Sequence, residues 1–182
     1  MANKKYFIGV VLPTPILEKV EALKEELFHE FGLKGALRSP AHITLHRPFE
    51  WREEKENRLI TCLQNYRSNS SFNVKLHNFS FFEPRVVFID VVRSELLNNL
   101  HKELRQHVKL QLNILNEDDN MRGFHPHVTI ANRDLKKPMF YQLHEYFKTQ
   151  TFEAEFNCTC FSLLKLHQKW EVHHSFSFNS SE

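Results

Sequence analysis

Two stretches of this chain repeat one pattern, polar-apolar-polar-apolar: His42-Ile43-Thr44-Leu45 and, in the second half, His127-Val128-Thr129-Ile130. A period of two marks a β-strand, because successive side chains leave a strand on opposite faces. Each stretch therefore predicts a strand that buries its aliphatic residues and projects a histidine and a threonine together from the other face. If the two strands lie side by side, two imidazoles and two hydroxyls converge on one small space.

The rest of the chain supplies a frame for two such strands. Tyr6 to Leu12 is a continuous apolar, β-branched run closed by Pro13, which reads as a buried strand. After Thr14 or Pro15, the residues Ile16, Val20, Leu23, Leu27 and Phe31 recur at helical spacing, and Gly32 and Gly35 bracket the end of that helix. Ala41 to Phe49 is a strand. Glu53 to Tyr66 reads as a helix with the stripe Leu59, Leu63 and Tyr66, followed by a polar turn at Ser68 to Ser71.

Phe72 to Phe82 and Val86 to Val92 read as strands joined near Pro84, and Leu97, Leu100, Leu104 and Val108 mark a third helix. A polar, acidic loop, Asn116 to Gly123, precedes the strand His127 to Ala131. Phe140, Leu143 and Phe147 mark a fourth helix, and Phe152 to Leu166 and Trp170 to Phe178 read as two closing strands. Each half carries strand, helix and His-x-Thr strand in that order. Four helices alternating with about seven strands predict an α+β fold of two pseudo-symmetric lobes. No Gly-, Pro- or Ser-rich linker separates them, so residues 1–182 are expected to form a single two-lobed domain.

Composition narrows the function classes. Of 182 residues, 17 are phenylalanine and 4 are glycine, which predicts a well-filled core with plain turns. A net charge of +2, spread along the chain, is too even for a protein that grips a long duplex by its phosphates. A small anion, or the end of a nucleic acid, suits it better. Cys62, Cys158 and Cys160 form no disulfide framework, and the last two sit too close along one strand to pair. No apolar run reaches the length of a membrane span, and the N-terminus runs into a strand without a signal core. The expectation is a reduced, cytoplasmic protein that meets no membrane.

Paired histidines and threonines suit phosphodiester chemistry. A neutral imidazole accepts a proton from water while a protonated one donates to a leaving oxygen, both near neutral pH. Threonine hydroxyls donate to the non-bridging oxygens where charge gathers. No cofactor and no metal is called for, and His125, His173, His174 and the cysteines match no zinc spacing. Phosphate-binding glycine loops and a serine-hydrolase elbow are absent from the sequence.

Arg47 and Arg133 follow the two motifs and are candidate phosphate ligands, with an exposed position as the alternative for each; Arg122 is a weaker candidate. Pro48 predicts a bulge or strand end that turns Arg47 toward the open face. Phe49, Trp51 and Phe124 offer rings to stack on a base, with core packing as the alternative. His46 extends the polar face of its strand.

The paired motifs, the opening strand Tyr6-Phe7-Ile8-Gly9-Val10-Val11-Leu12-Pro13, the segments Ser39 to Leu45 and Phe124 to Ala131, and the closing strands together resemble the two-histidine phosphoesterase superfamily. Within it the resemblance is to the 2′-5′ RNA ligase-like, RNA cyclic phosphodiesterase branch. It implies antiparallel sheets of two lobes facing a central cleft, helices outside, and His42, Thr44, His127 and Thr129 on the cleft floor. It further implies metal-independent hydrolysis of 2′,3′-cyclic phosphates, on RNA 3′ ends or small cyclic nucleotides, to 2′-phosphates. His42 would be the proton donor and His127 the acceptor. The alternatives are a non-catalytic module that binds RNA ends or nucleotides, and a reversible 2′-5′ RNA ligase. A monomer without an obligatory protein partner is expected. Where many members continue with an apolar Phe-Leu-Gly-like stretch after the first motif, this chain has His46-Arg47-Pro48-Phe49-Glu50-Trp51, a difference at the cleft mouth that bears on the substrate.

Overall fold

The computed structural model describes residues 2–66, 70–115 and 123–178. Arg122, the loop 116–122 and part of the turn expected at 68–71 lie outside the described residues. Among those described, the chain forms β1 (Asn3–Val11), α1 (Ile16–Phe31), β2 (His42–Arg52), α2 (Glu56–Gln64), β3 (Phe72–Phe82) and β4 (Val86–Val91). It continues as α3 (Glu95–Leu112), β5 (His127–Ala131), α4 (Lys137–Phe147), β6 (Glu153–Cys158), β7 (Cys160–Leu166) and β8 (Trp170–Ser177).

Local chemistry sets the helix ends. Gly32 closes α1 in the left-handed region, at φ +70°, where its amide reaches the carbonyl of Phe28. Ser94 opens α3, its hydroxyl accepting from the Leu97 amide at 3.2 Å. The helix expected from Glu53 starts with a 3₁₀ turn over Glu53–Lys55, and Tyr66 falls beyond the end of α2.

All eight strands join one antiparallel sheet in the order β6-β3-β4-β5-β2-β1-β7-β8, curled into a half-barrel. Its two four-stranded halves are the two lobes, and β1–α1–β2 and β4–α3–β5 are their matching units. The lobes do not carry separate sheets. They fuse edge to edge where β2 meets β5 through one registered pair, Ile43 and Val128. Helices α1 to α4 cover one face of the sheet, and their apolar stripes share a continuous core with Ile43, Leu45, Val128 and Ile130. Burying these side chains supplies the main stabilisation, about 25 cal/mol per Å² of apolar surface removed from water.

The run Phe152 to Leu166, expected as one strand, is two. β6 pairs with β3 (Phe72 opposite Cys158) and β7 pairs with β1 (Gly9 opposite Ser162), so the chain leaves one lobe for the other at Thr159. Side-chain alternation marks a strand without naming its partner, which is why the break is invisible in sequence. The Cys158 thiol bridges it, donating to the Cys160 carbonyl at 3.5 Å. Among the described residues no helix is long and apolar enough to cross a membrane.

Candidate active site

The seam between the lobes is where the two motifs meet. Ile43 and Val128, the middle residues of the tripeptides, are the opposed pair, and both are fully buried on the helix side. Antiparallel register then sets His42 opposite Thr129 and Thr44 opposite His127, all four on the open face of the sheet. The result is a square with the histidines on one diagonal and the threonines on the other. Opposed Cβ atoms in such a ladder stand roughly 4.5–5.5 Å apart and diagonal ones roughly 7–8 Å.

Both imidazoles are fixed in the same way. Nδ1 of His42 lies 2.7 Å from the carbonyl oxygen of Pro40, and Nδ1 of His127 lies 2.7 Å from that of His125. A carbonyl only accepts, so each Nδ1 carries hydrogen and each neutral ring offers the lone pair of Nε2.

What surrounds the two rings differs. Phe7 packs on His42 at a centroid distance of 4.6 Å. Gly9 leaves room for that packing: a Cβ there would fall 2.7 Å from the Ile43 carbonyl oxygen and 3.5 Å from the His42 ring. Lys24, on α1, is only 2% exposed. It donates to Glu21 at 2.9 Å and to the Ser39 carbonyl at 3.0 Å, while the Ala41 amide donates to the same Glu21 oxygen at 2.6 Å. Glu21 and Lys24 thus clamp the 39–41 segment whose carbonyl holds His42. Burial, together with the positive charges of Lys24 and His127, pushes His42 down to about 4 despite the Pro40 bond.

Around His127 stand Phe82 and Phe88, with centroids at 5.1 and 5.0 Å. The residue that holds it, His125, is itself held by Asp90 at 3.1 Å and Arg93 at 3.3 Å. Burial also lowers His127, and His125 and Arg47 add to this, but its backbone bond and the Asp90 carboxylate oppose it.

Two cavities flank the square. The larger, about 610 Å³, is lined by His127, Thr44, Arg47, Phe82, His101 and Phe124 among others. The smaller, about 170 Å³, is lined by His42, Thr44, Thr129, Lys24, Arg133 and Trp170 among others. Thr44 borders both.

Arg47 therefore reaches the cleft, and the cause is a change of register. Against β1, β2 carries one extra residue between Thr44 and His46 and another between His46 and Phe49. The same irregularity removes His46 from the polar face. It is 1% exposed, its Nδ1 lies 2.9 Å from the Arg47 carbonyl oxygen, and Phe49 packs edge-on against it at 5.2 Å. Phe49 also packs on Tyr6 and lines neither cavity, while the Trp51 indole donates to the Lys55 carbonyl; both rings sit against the core. Phe124 does line the larger cavity, stacked on His101 at 3.8 Å. Arg133, at φ +52°, lines the smaller one.

Sequence reasoning passed over Gly9, Glu21, Lys24 and Asp90. Glycine inside an otherwise β-branched strand was the one available signal, since it marks a close approach of backbone. Among the described residues no group of three or more His, Cys, Asp or Glu is arranged to hold a metal ion.

Known proteins share this frame. The crystal structure of TT0787 of Thermus thermophilus superposes with a TM-score of 0.69 at 21% identity, covering 98% of this chain and 100% of that one. E. coli LigT complexed with 3′-AMP superposes at 0.68 with 18% identity, and LigT complexed with NADP+ at 0.67 with 17%, each covering 98% of this chain and all of the other. At these identities the likeness is one of fold. No curated protein matches the sequence. The model of the 2′-5′ RNA ligase superfamily matches residues 12–170, spanning both His-x-Thr strands, and this chain belongs to that superfamily.

Proposed function

We propose that this protein is a phosphodiesterase that opens 2′,3′-cyclic phosphates of RNA ends or nucleotides to 2′-phosphates, with His42, Thr44, His127 and Thr129 as its catalytic residues and no metal. The observation that carries the reading is the square. Displacement at phosphorus places the attacking and leaving oxygens roughly in line on opposite sides. Histidines on one diagonal suit those two oxygens, and threonines on the other suit the non-bridging oxygens between them. Each lobe supplies one histidine and one threonine, which supports treating residues 1–182 as a single two-lobed unit. The nucleotides named in the LigT complexes, 3′-AMP and NADP+, fit a cleft of this kind.

The surroundings bear on the proton roles. His42, buried beside Lys24 at about 4, is neutral at pH 7 and suited to take a proton from water. Burial lowers His127 too, but the Asp90 carboxylate behind it opposes this and favours its charged form, and that charge is among those that hold His42 down. We therefore assign His42 as base and His127 as acid to the 3′-oxygen, the reverse of the order that the resemblance implies. Water gives its proton to Nε2 of His42 as its oxygen bonds to phosphorus; the bond to the 3′-oxygen breaks and that oxygen takes the proton from His127.

The test is to incubate the pure protein, in excess EDTA, with 2′,3′-cyclic AMP and with a short RNA bearing a 2′,3′-cyclic phosphate. A 2′-phosphate product is expected from at least one. Intact substrate in both arms would overturn the reading. An RNA bearing the cyclic phosphate, mixed with one bearing a free 5′-hydroxyl, tests the reverse reaction, 2′-5′ ligation.

A further inference from the structure

A third cavity, about 360 Å³, lies between α3 and β2 and is lined by His46, Lys102, Arg105, Gln106, Lys109 and Ile114 among others. Among the described residues, none that lines it is a carboxylate. Residues next to one another in the chain line it and the larger cleft cavity at two places. Leu45 and Arg47 line that cavity and His46 this one; His101 and Phe124 line that one, and Lys102, the next residue along α3, lines this one. β5 begins at His127, opposite Thr44, so from Leu45 onward β2 has no β5 neighbour. The cleft can continue around the free side of β2 onto α3.

Resting on the function proposed above, we infer that this groove holds the phosphate backbone of a single-stranded RNA whose 3′ end occupies the cleft, so that the preferred substrate is a strand end and not a mononucleotide. Arg47 marks the cleft mouth, and the exposed Lys102 and Lys109 carry the positive charge outward. Lys102 to Lys109 spans about 10 Å of helix, the reach of a run of backbone and more than one phosphate needs. Contacts of this kind are insensitive to base sequence and strongly sensitive to salt.

The experiment compares wild type, Lys102→Ala/Lys109→Ala and, as a control for loss of surface charge, Lys169→Ala in the β7–β8 turn. Binding of a fluorescent eight-nucleotide RNA ending in a 3′-phosphate is followed by anisotropy from 50 to 300 mM salt. In parallel, kcat/KM is measured for a cyclic-phosphate-ended RNA and for 2′,3′-cyclic AMP. The double variant is expected to bind the RNA more than tenfold more weakly at low salt. Its slope of log affinity against log salt should be shallower by about 1.4, two lysines at about 0.7 each. The preference for the RNA over the mononucleotide should fall with it, while Lys169→Ala changes neither. An unchanged salt slope, or equal losses on both substrates, would overturn the groove. The binding arm needs no turnover, so a protein that binds the RNA through these lysines and hydrolyses nothing would refute the activity and leave the groove.

Discussion

The two His-x-Thr strands are built alike and housed differently. Both histidines lean on the carbonyl two residues earlier at 2.7 Å, and both sit across from a threonine of the other strand. Behind His42, however, is a buried ammonium, Lys24, and behind His127 a carboxylate, Asp90. On the assignment proposed above, geometry sets where the two rings act and the charges behind them bias which holds the proton. Under the proposed function, a lysine and an aspartate, one on a helix and one on a neighbouring strand, add to burial in giving identical side chains opposite tasks.

The largest effect should come from removing either ring. His42→Ala or His127→Ala is expected to lower kcat by about 10² to 10⁴, and retention of more than about a tenth of the rate would end the paired assignment. The comparison sharpens with a substrate whose leaving group needs no proton, such as a nitrophenyl phosphodiester. His127→Ala should recover most of its loss on that substrate and His42→Ala should not. The opposite pattern would restore the reverse order of roles.

A smaller effect tests the charge behind His42. Lys24→Met removes the ammonium and keeps most of the stem, so the imidazole should rise from about 4 toward its ordinary value. Because His42 must be neutral to act as base, the acidic limb of the pH–rate profile should move to higher pH. Lys24→Arg should hold it in place. A limb that stays put in Lys24→Met would mean that burial alone depresses His42.

The smallest expected effect is on stability. His42 binds its proton at about 4 when folded and near 6.5 when unfolded. Between those values the unfolded chain holds more protons, so stability should fall as pH drops from about 6.5 to about 4 and flatten below. His42→Gln should remove that part of the slope, as read from Tm against pH; an unchanged slope would place His42 in contact with water.

Much of this was legible in the sequence. The alternation of Ile43 and Leu45 with His42 and Thr44 fixed which residues face the cleft, and the stripes of α3 and α4 fell where the spacing put them. What escaped depended on neighbours distant in the chain. The extra residues in β2 exist only relative to β1, and they turned His46 and Phe49 inward and Arg47 outward. Lys24 stood beside an apolar stripe as any surface lysine would; its burial is decided by the Ser39 carbonyl and by Glu21, which Ala41 also uses. Asp90 acquired its meaning from His125, which lies far along the chain, just before β5.

The pairing of Ile43 with Val128 places an approximate two-fold axis through the centre of the site. A symmetric homodimer could form such a square from a single His-x-Thr strand, but its symmetry would oblige both histidines to have the same neighbours. Here one continuous chain supplies both halves, and the two sides are free to differ. Joining the halves covalently breaks the degeneracy between two otherwise equivalent imidazoles, and under the proposed chemistry it makes the direction of proton flow a property that substitutions on one side of the axis can alter without touching the other.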